Sequence, residues 1–481
     1  MRSTISFILD GKKVELDFKH SQRITPTTTV LTYLRSLPAH KGVKEGCAEG
    51  DCGACTVVLG ELNGENKIRY TAVDSCLVFL PMVHGKQLIT IENLKTPTGE
   101  LHPVQQAMVD LYGSQCGYCT PGIIMTMFEL YKNHNYPSRE QIDEALTGNL
   151  CRCTGYRPIV DAAAKSCVHN CKDHFTDDEP NIIKMLKSIF QETIHIQTDN
   201  QRYFRSASLG EAISLKHQHP EAIIISGATD IALRVTKGHE ILKEIIDLSG
   251  IEELKNIVET ESSMIIGAGV SMNDIIPKVK KDFPALYGML SVFGAKQIRN
   301  LATLGGHLGT ASPVGDILPV LMAYGAKVVR ESLNGQREIA LANYITGYRK
   351  TVRKPDELIT SIVMPKILNG VIVKSYKISK RKDLDISTVS AGFRLELDRN
   401  KVKSITLAYG GMAELTKRAT KTEQFLIGKE WKREIIEQAM QYIDNDFTPI
   451  TDVRGSADFR NIAARNLLMK FYNEAREEVG K

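Results

Sequence analysis

Eight cysteines fall into two sets of four, and no other feature of this 481-residue chain restricts its folding as strongly. Cys47, Cys52, Cys55 and Cys76 follow C-x4-C-x2-C with a distant fourth member, while Cys116 and Cys119 form a C-x2-C answered by Cys151 and Cys153 as C-x-C. The first spacing is that of plant-type [2Fe–2S] sites. Its segment from Gly46 to Cys55 holds three glycines. They let the backbone curl and aim amide N–H groups at sulfur, which stabilises an anionic cluster and tunes its potential. Zinc is the competing occupant, but zinc knuckles favour paired C-x2–4-C units, and here the spacing is three plus one.

In the second set, Cys116-Gly-Tyr-Cys119 stands directly before Thr120-Pro121, where a helix rich in Ile123, Ile124, Met127 and Leu130 opens. The positive end of that helix dipole faces the sulfurs. Residues two apart point the same way in an extended loop and diverge by about 200° on a helix, so Cys151 and Cys153 are expected in a loop. A C-x2-C alone could be a thioredoxin-type dithiol. No βαβ pattern surrounds this one, and the C-x-C partner favours a four-thiolate site. Cys167 and Cys171 share the spacing of one helix face beside His169 and His174. A third metal site is one reading of them, and surface or packing residues are the preferred one. No export signal is visible at the N-terminus, where Asp10 interrupts a short apolar stretch. In a reducing compartment, clustered cysteines serve as ligands or redox groups more often than as disulfides.

Period and punctuation divide the chain. Ile5, Phe7 and Leu9 alternate, Asp10-Gly11 follows, and Val14, Leu16 and Phe18 alternate in turn, which predicts a hairpin with a tight turn. Thr29 is positioned to cap a short helix carrying Val30, Leu31, Tyr33 and Leu34. Strands recur around 56–59 and 87–91, so residues 1–90 read as a small mixed β domain. Residues 91–167 read as all-helical: Pro103 starts one helix and Gly113 ends it, Pro121 opens the next, and Ser138 with Gln141 makes a capping box for a third. The polar stretch 168–200 reads as a linker. Strands and helices then alternate through 201–370, and a new block covers 371–481. The expected class is a multidomain α+β protein.

With hydrophobic content of 42% and charged content of 24%, the chain has the composition of a globular protein, and no run approaches the about 18 apolar residues of a membrane span. The net charge of +5 is thinly spread over 61 basic and 56 acidic residues, and the basic cluster at 377–382 sits beside Asp383 and Asp385. Neither a membrane nor a nucleic acid is expected as partner, and a cytoplasmic location is expected.

No complete G-x-G-x-x-G follows a strand, and no G-x-x-x-x-G-K-[ST] occurs, which disfavours the Rossmann and P-loop routes to a nucleotide. Two glycine turns follow strands instead. Gly227-Ala-Thr-Asp230 can present N–H groups and a hydroxyl to a pyrophosphate as a nest does, and Leu304-Gly-Gly-His307 offers a place where backbone approaches a ligand closely. Plain strand-to-helix turns are the equal alternative on this evidence alone.

Five segments carry a family resemblance: GCAEGDCGACTVVL (46–59), QCGYCTPGIIM (115–125), GNLCRCTGYRPI (148–159), ISGATDIALRV (225–235) and KQIRNLATLGGHLGTASPVGDILPVLMAYGA (296–326). Together, in order and over essentially the whole chain, they resemble the molybdenum hydroxylases, the xanthine dehydrogenase and aldehyde oxidase family. The resemblance implies a plant-type ferredoxin β-grasp domain, an all-helical [2Fe–2S] domain, an α+β FAD-binding domain of the PCMH or vanillyl-alcohol-oxidase kind, and an α+β C-terminal domain. It implies that the eight cysteines hold two [2Fe–2S] clusters and that the two glycine turns hold FAD. Carried over residue by residue, the FAD site would include Ile224, Ile225, Ser226, Gly227, Ala228, Thr229, Asp230 and Ile231, then Ala302, Thr303, Gly305, Gly306, His307 and Thr310. Asp316 would take the ribose side, Phe293 would pack on the isoalloxazine ring, and Ile359 and Lys377 would lie near the cofactor. The loop that follows Lys377 borders the nicotinamide site in relatives that use NAD. Ala228 and His307 depart from the family, which usually has Asn at the first place and in many members has Asn at the second. Losing one amide donor would weaken a phosphate contact by roughly 1 kcal/mol. His307 is read as lining the FAD site, and no catalytic residue is assigned.

By the same resemblance, electrons released at a molybdenum–pterin centre pass through the helical-domain cluster, the plant-type cluster and FAD to an acceptor such as NAD. The long molybdenum domain is not found in the chain, so a separate large subunit is expected to bind that cofactor, in a dimer of heterodimers. Xanthine is the expected substrate. An aldehyde or nicotinate enzyme of the same design, or a stand-alone electron carrier, are the alternatives.

Overall fold

The computed structural model describes residues 3–19, 23–167, 172–189 and 193–479. They divide into two units, one formed by Met1–Leu215, Glu221–Ile251 and Ala295–Ala302, the other by Lys216–Pro220, Glu252–Gly294 and Thr303–Lys481.

The first unit begins with the expected hairpin. Strands Thr4–Leu9 and Lys12–Asp17 pair antiparallel through Asp10 and Gly11. Both have positive φ (48° and 79°), as a two-residue type I′ turn requires. These strands join Gln87–Ile89, Thr56–Leu62 and Ile68–Asp74 in a five-stranded mixed sheet. Thr29 accepts a hydrogen bond from Thr32 N and caps the helix Val30–Ser36, whose Val30, Leu31 and Leu34 are buried on the sheet. Four helices follow, Pro103–Asp110, Thr120–Asn133, Arg139–Leu146 and Arg157–Ser166. Ser138 and Gln141 form the expected capping box. His102 and Gln105 form a second one that the sequence reading did not name.

The stretch read as a linker contains regular structure. Helix His174–Lys187 buries Phe175, Ile182 and Leu186 in the same core as the four helices. These three apolar residues are spaced at whole turns among acidic and polar neighbours, so a composition reading sees only polarity. Asp173 caps this helix by accepting from Thr176 N at 2.8 Å. It also receives Lys132 Nζ at 2.9 Å and lies 3.1 Å from His102 Nε2, both from the helical domain. The strand Ile194–Gln197 follows and opens a four-stranded sheet with Arg202–Arg205, Glu244–Asp247 and Ile223–Ile225.

The second unit holds a five-stranded sheet, in the order Ile257–Glu259, Ser263–Gly267, Leu358–Pro365, Lys327–Ser332 and Gly335–Ala340, and a four-stranded sheet that includes the long strands Val371–Ile378, Val389–Asp398 and Lys401–Gly410. The helix Ala457–Val479 covers the latter. Phe393 and Phe471 pack with ring centroids 5.4 Å apart, and Tyr409 Oη donates to the Ala464 carbonyl. Among the described residues no helix is long and apolar enough to cross a membrane.

Candidate iron–sulfur and flavin sites

Sheet register assembles the first cysteine set. Thr56 and Asp74 are direct partners across the antiparallel strands Thr56–Leu62 and Ile68–Asp74. Cys55 immediately precedes one strand and Cys76 closely follows the other, so pairing brings their sulfurs to 3.4 Å, both buried. The preceding loop curls through Ala48, Gly50 and Gly53, all at positive φ. Its amides at Glu49 and Asp51 donate to Cys47 Sγ at 3.4 and 3.3 Å. The Cys52 thiol hydrogen-bonds to Cys47 and, with those amides, holds Cys47 down to about 5 against the effect of burial. Cys52 is correspondingly raised. Burial pushes the neighbouring Asp74 up to about 8, with the negative charge on Cys47 adding to it. Lys237 Nζ donates to the Cys47 carbonyl at 3.2 Å and lies 3.6 Å from Glu49, which places a cation beside the loop.

The second set is built by helix ends. Cys119 is the N-cap residue of Thr120–Asn133, and Cys151 and Cys153 lie between Arg139–Leu146 and Arg157–Ser166. That loop is bent rather than extended, with Gly155 and Tyr156 at positive φ. Both cysteines lie in a loop, as expected; Cys151 interacts with Cys119, and Cys153 with Cys116. Tyr156 Oη accepts from Cys151 N at 2.9 Å and fixes the bend.

In both sets the thiols come together in pairs. Four thiolates of this kind are the donor set of a [2Fe–2S] cluster. The donor set and its pairing fit [2Fe–2S]. Cys167 is buried in the helical core near Ser166, as a packing residue is; Cys171 and His169 lie outside the described residues.

The flavin candidates occupy both units. In the first unit, strand Ile223–Ile225 runs into the turn at Gly227 and then into helix Ala232–Thr236. Ala228 sits at φ 59°, the left-handed geometry from which an anion-binding nest is made. Alanine bears about 1–2 kcal/mol there, and asparagine tolerates that region better. Gly227 is packed so tightly that a Cβ would lie 1.6 Å from the Leu301 carbonyl oxygen, one residue from Ala302.

In the second unit, Thr303 caps helix Leu304–Thr310 by accepting from Gly306 N at 3.1 Å, while the amides of Leu304 and Gly305 donate to Val270 and Ala268. These three N–H groups are committed within the protein. The turn is thus set for close approach rather than for amide donation. Phe293 and His307 lie edge to face, with centroids 5.6 Å apart, and Ile359 is within reach of Gly309. Lys377 Nζ is 2.9 Å from Asp316 and donates to the Val292 carbonyl at 2.6 Å. Burial raises Asp316 above the usual 3.8, opposed by Lys377 and Ser387.

Lys377→Met should therefore destabilise the protein by about 3–5 kcal/mol at neutral pH, because it leaves a buried carboxylate without its cation. A raised carboxyl favours the folded state as pH falls from the raised native value toward 3.8. The deficit of the variant should consequently narrow on acidification in urea titrations; a constant deficit would show that the charge pair is not its cause.

Three described families match the chain: "[2Fe-2S] binding domain" over residues 90–164, "FAD binding domain in molybdopterin dehydrogenase" over 196–367, and "CO dehydrogenase flavoprotein C-terminal domain" over 374–475. Xanthine dehydrogenase of Calliphora vicina is 33% identical, over 91% of this chain and 36% of its own length. Xanthine dehydrogenase of Emericella nidulans is 33% identical, over 99% of this chain and 39% of its own length. The chain thus spans well under half of these curated relatives. Among solved structures, a chain of the carbon monoxide dehydrogenase of Hydrogenophaga pseudoflava aligns with a TM-score of 0.54 at 25% identity, over 57% of this chain and 96% of that one.

Proposed function

The chain belongs to the molybdenum hydroxylase family, with that family's iron–sulfur and flavin-binding domains, and from this premise we propose that it is the electron-transfer section of a xanthine dehydrogenase. It is an oxidoreductase component with two [2Fe–2S] clusters and FAD. The observation that carries the reading is the pairing of thiols in each cysteine set.

In this proposal the protein's residues place and tune the cofactors. Eight thiolates hold the irons. The Glu49 and Asp51 amides, with Lys237 behind them, stabilise charge at Cys47, and the helix that starts at Thr120 does so at Cys119. The left-handed turn at Ala228 in the first unit takes the pyrophosphate of FAD. Bound FAD converts single electrons into a hydride for NAD. The molybdenum–pterin centre is carried by a partner subunit in a dimer of heterodimers, and the assembly works in the cytoplasm. Support for a partner comes from the solved carbon monoxide dehydrogenase chain, which 57% of this chain accounts for almost entirely. That likeness also supports a second reading, in which the partner oxidises another small molecule and this chain's role is unchanged.

Purification from the native source tests the proposal. The chain should travel with a molybdenum-containing partner, and xanthine should bleach the flavin and reduce NAD. Bleaching by another substrate but not by xanthine would replace the first reading with the second. A chain that purifies alone, and that neither substrate reduces, would overturn both.

A further inference from the structure

A buried polar knot joins the two cysteine loops, and the electron-transfer reading does not account for it. Leu150 N donates to the Cys52 carbonyl at 3.0 Å, so a ligand of the first set touches the neighbour of a ligand of the second. Beside this contact, Asn149 Nδ2 donates to the Gly53 carbonyl at 3.0 Å, and Asn149 Oδ1 accepts from Thr126 Oγ1 at 2.7 Å. Gln297 Nε2 completes the knot, 3.0 Å from Thr126 Oγ1 and 3.1 Å from Asn149 Oδ1. Thr126, Asn149 and Gln297 are all buried. The backbone is drawn in to match: a Cβ on Gly53 would lie 2.2 Å from the Gly148 carbonyl oxygen, and one on Gly122 would lie 2.1 Å from the Gly53 carbonyl oxygen.

A structural fastening between two domains needs apolar packing, which these domains have elsewhere. Three buried polar side chains that hydrogen-bond one another, with Gln297 Oε1 left over without a hydrogen-bond partner among the described residues, are a costly way to add more. What they achieve is register: they fix the Leu150 amide on the Cys52 carbonyl.

We propose, resting on the electron-transfer reading above, that this hydrogen bond is the coupling path between the two cysteine sets, with Asn149 and Thr126 as positioning residues and Gln297 as their brace. The path runs from the Cys151 thiolate along its backbone to the Leu150 amide, across one hydrogen bond to the Cys52 carbonyl, and on to the Cys52 thiolate. With both cysteine sets loaded, this path would carry a single electron from the Cys151 side to the Cys52 side. No bond forms or breaks and no proton moves. Electronic coupling decays far less along bonds and a short hydrogen bond than across a gap, so a small separation of these loops slows transfer without changing either end of it.

Asn149→Asp replaces the donor facing the Gly53 carbonyl with an acceptor and pushes the loops apart. Thr126→Val removes the hydroxyl at nearly constant volume, and Thr126→Ser restores it. As-purified full-length protein is reduced rapidly and frozen at intervals, and EPR follows the growth of each cluster signal. The expected result is that Asn149→Asp and Thr126→Val keep wild-type iron content and both signals but equilibrate electrons between them several-fold more slowly, while Thr126→Ser matches wild type. If Asn149→Asp fails to fold, the Thr126 pair decides. Wild-type equilibration rates in fully loaded variants would overturn the coupling path alone. A wild-type protein without the two signals would overturn the electron-transfer reading and this inference with it.

Discussion

Protein carrying Cys76→Ser will purify with about half of the wild-type iron and with one of its two EPR signals gone. Cys76 is 1% exposed and its sulfur lies 3.4 Å from that of Cys55. In our proposal the Cys76 thiolate holds iron. An alkoxide forms far less readily than a thiolate, so the replacement hydroxyl would be a poor ligand in its place. The second set draws on a different loop and a different helix and should keep its signal unchanged. Cys167→Ala is the control: this cysteine is equally buried but packs in the helical core outside both sets. That variant should retain full iron content with a modest loss of stability. Equal iron loss in both variants would mean that the cysteines matter only for packing.

Gly227→Ala should purify without flavin. A Cβ at this position would meet the Leu301 oxygen at 1.6 Å and its carbonyl carbon at 2.4 Å, and both are backbone atoms that no rotamer change can move. The turn and the 295–302 segment must separate, at more than about 3 kcal/mol. That movement displaces Ala228, whose left-handed turn we propose for the pyrophosphate. Gly210→Ala, where a Cβ meets nothing within 4 Å, should bind flavin as wild type does. Flavin absorbance after gel filtration measures both. Full flavin content in Gly227→Ala would remove this turn from the site.

Much of the first unit is legible because its signals are local. Asp10-Gly11 specifies its turn, Ser138 with Gln141 specifies a helix start, and the spacing of Cys47, Cys52 and Cys55 specifies a loop; each appears in the structure as read. Signals that depend on partners distant in sequence are not legible in this way. Phe175, Ile182 and Leu186 mark a helix only once the helical core is there to cover them. The pairing of Asp316 with Lys377, 61 residues later in the chain (377 minus 316), is likewise invisible in the sequence. Asn149 and Gln297 stand inside quoted motifs, yet nothing in a linear sequence reveals that they meet each other and Thr126. Ala228 is a related case: alanine gives no hint of left-handed backbone, because the geometry is imposed by the packing of Gly227 on Leu301.

All of these readings depend on iron and sulfide occupying both cysteine sets. Anaerobically purified protein analysed for iron, zinc and acid-labile sulfide gives the direct test. The expected result is about four irons and about four sulfides per chain, as two [2Fe–2S] clusters require. Stoichiometric zinc without labile sulfide would contradict it.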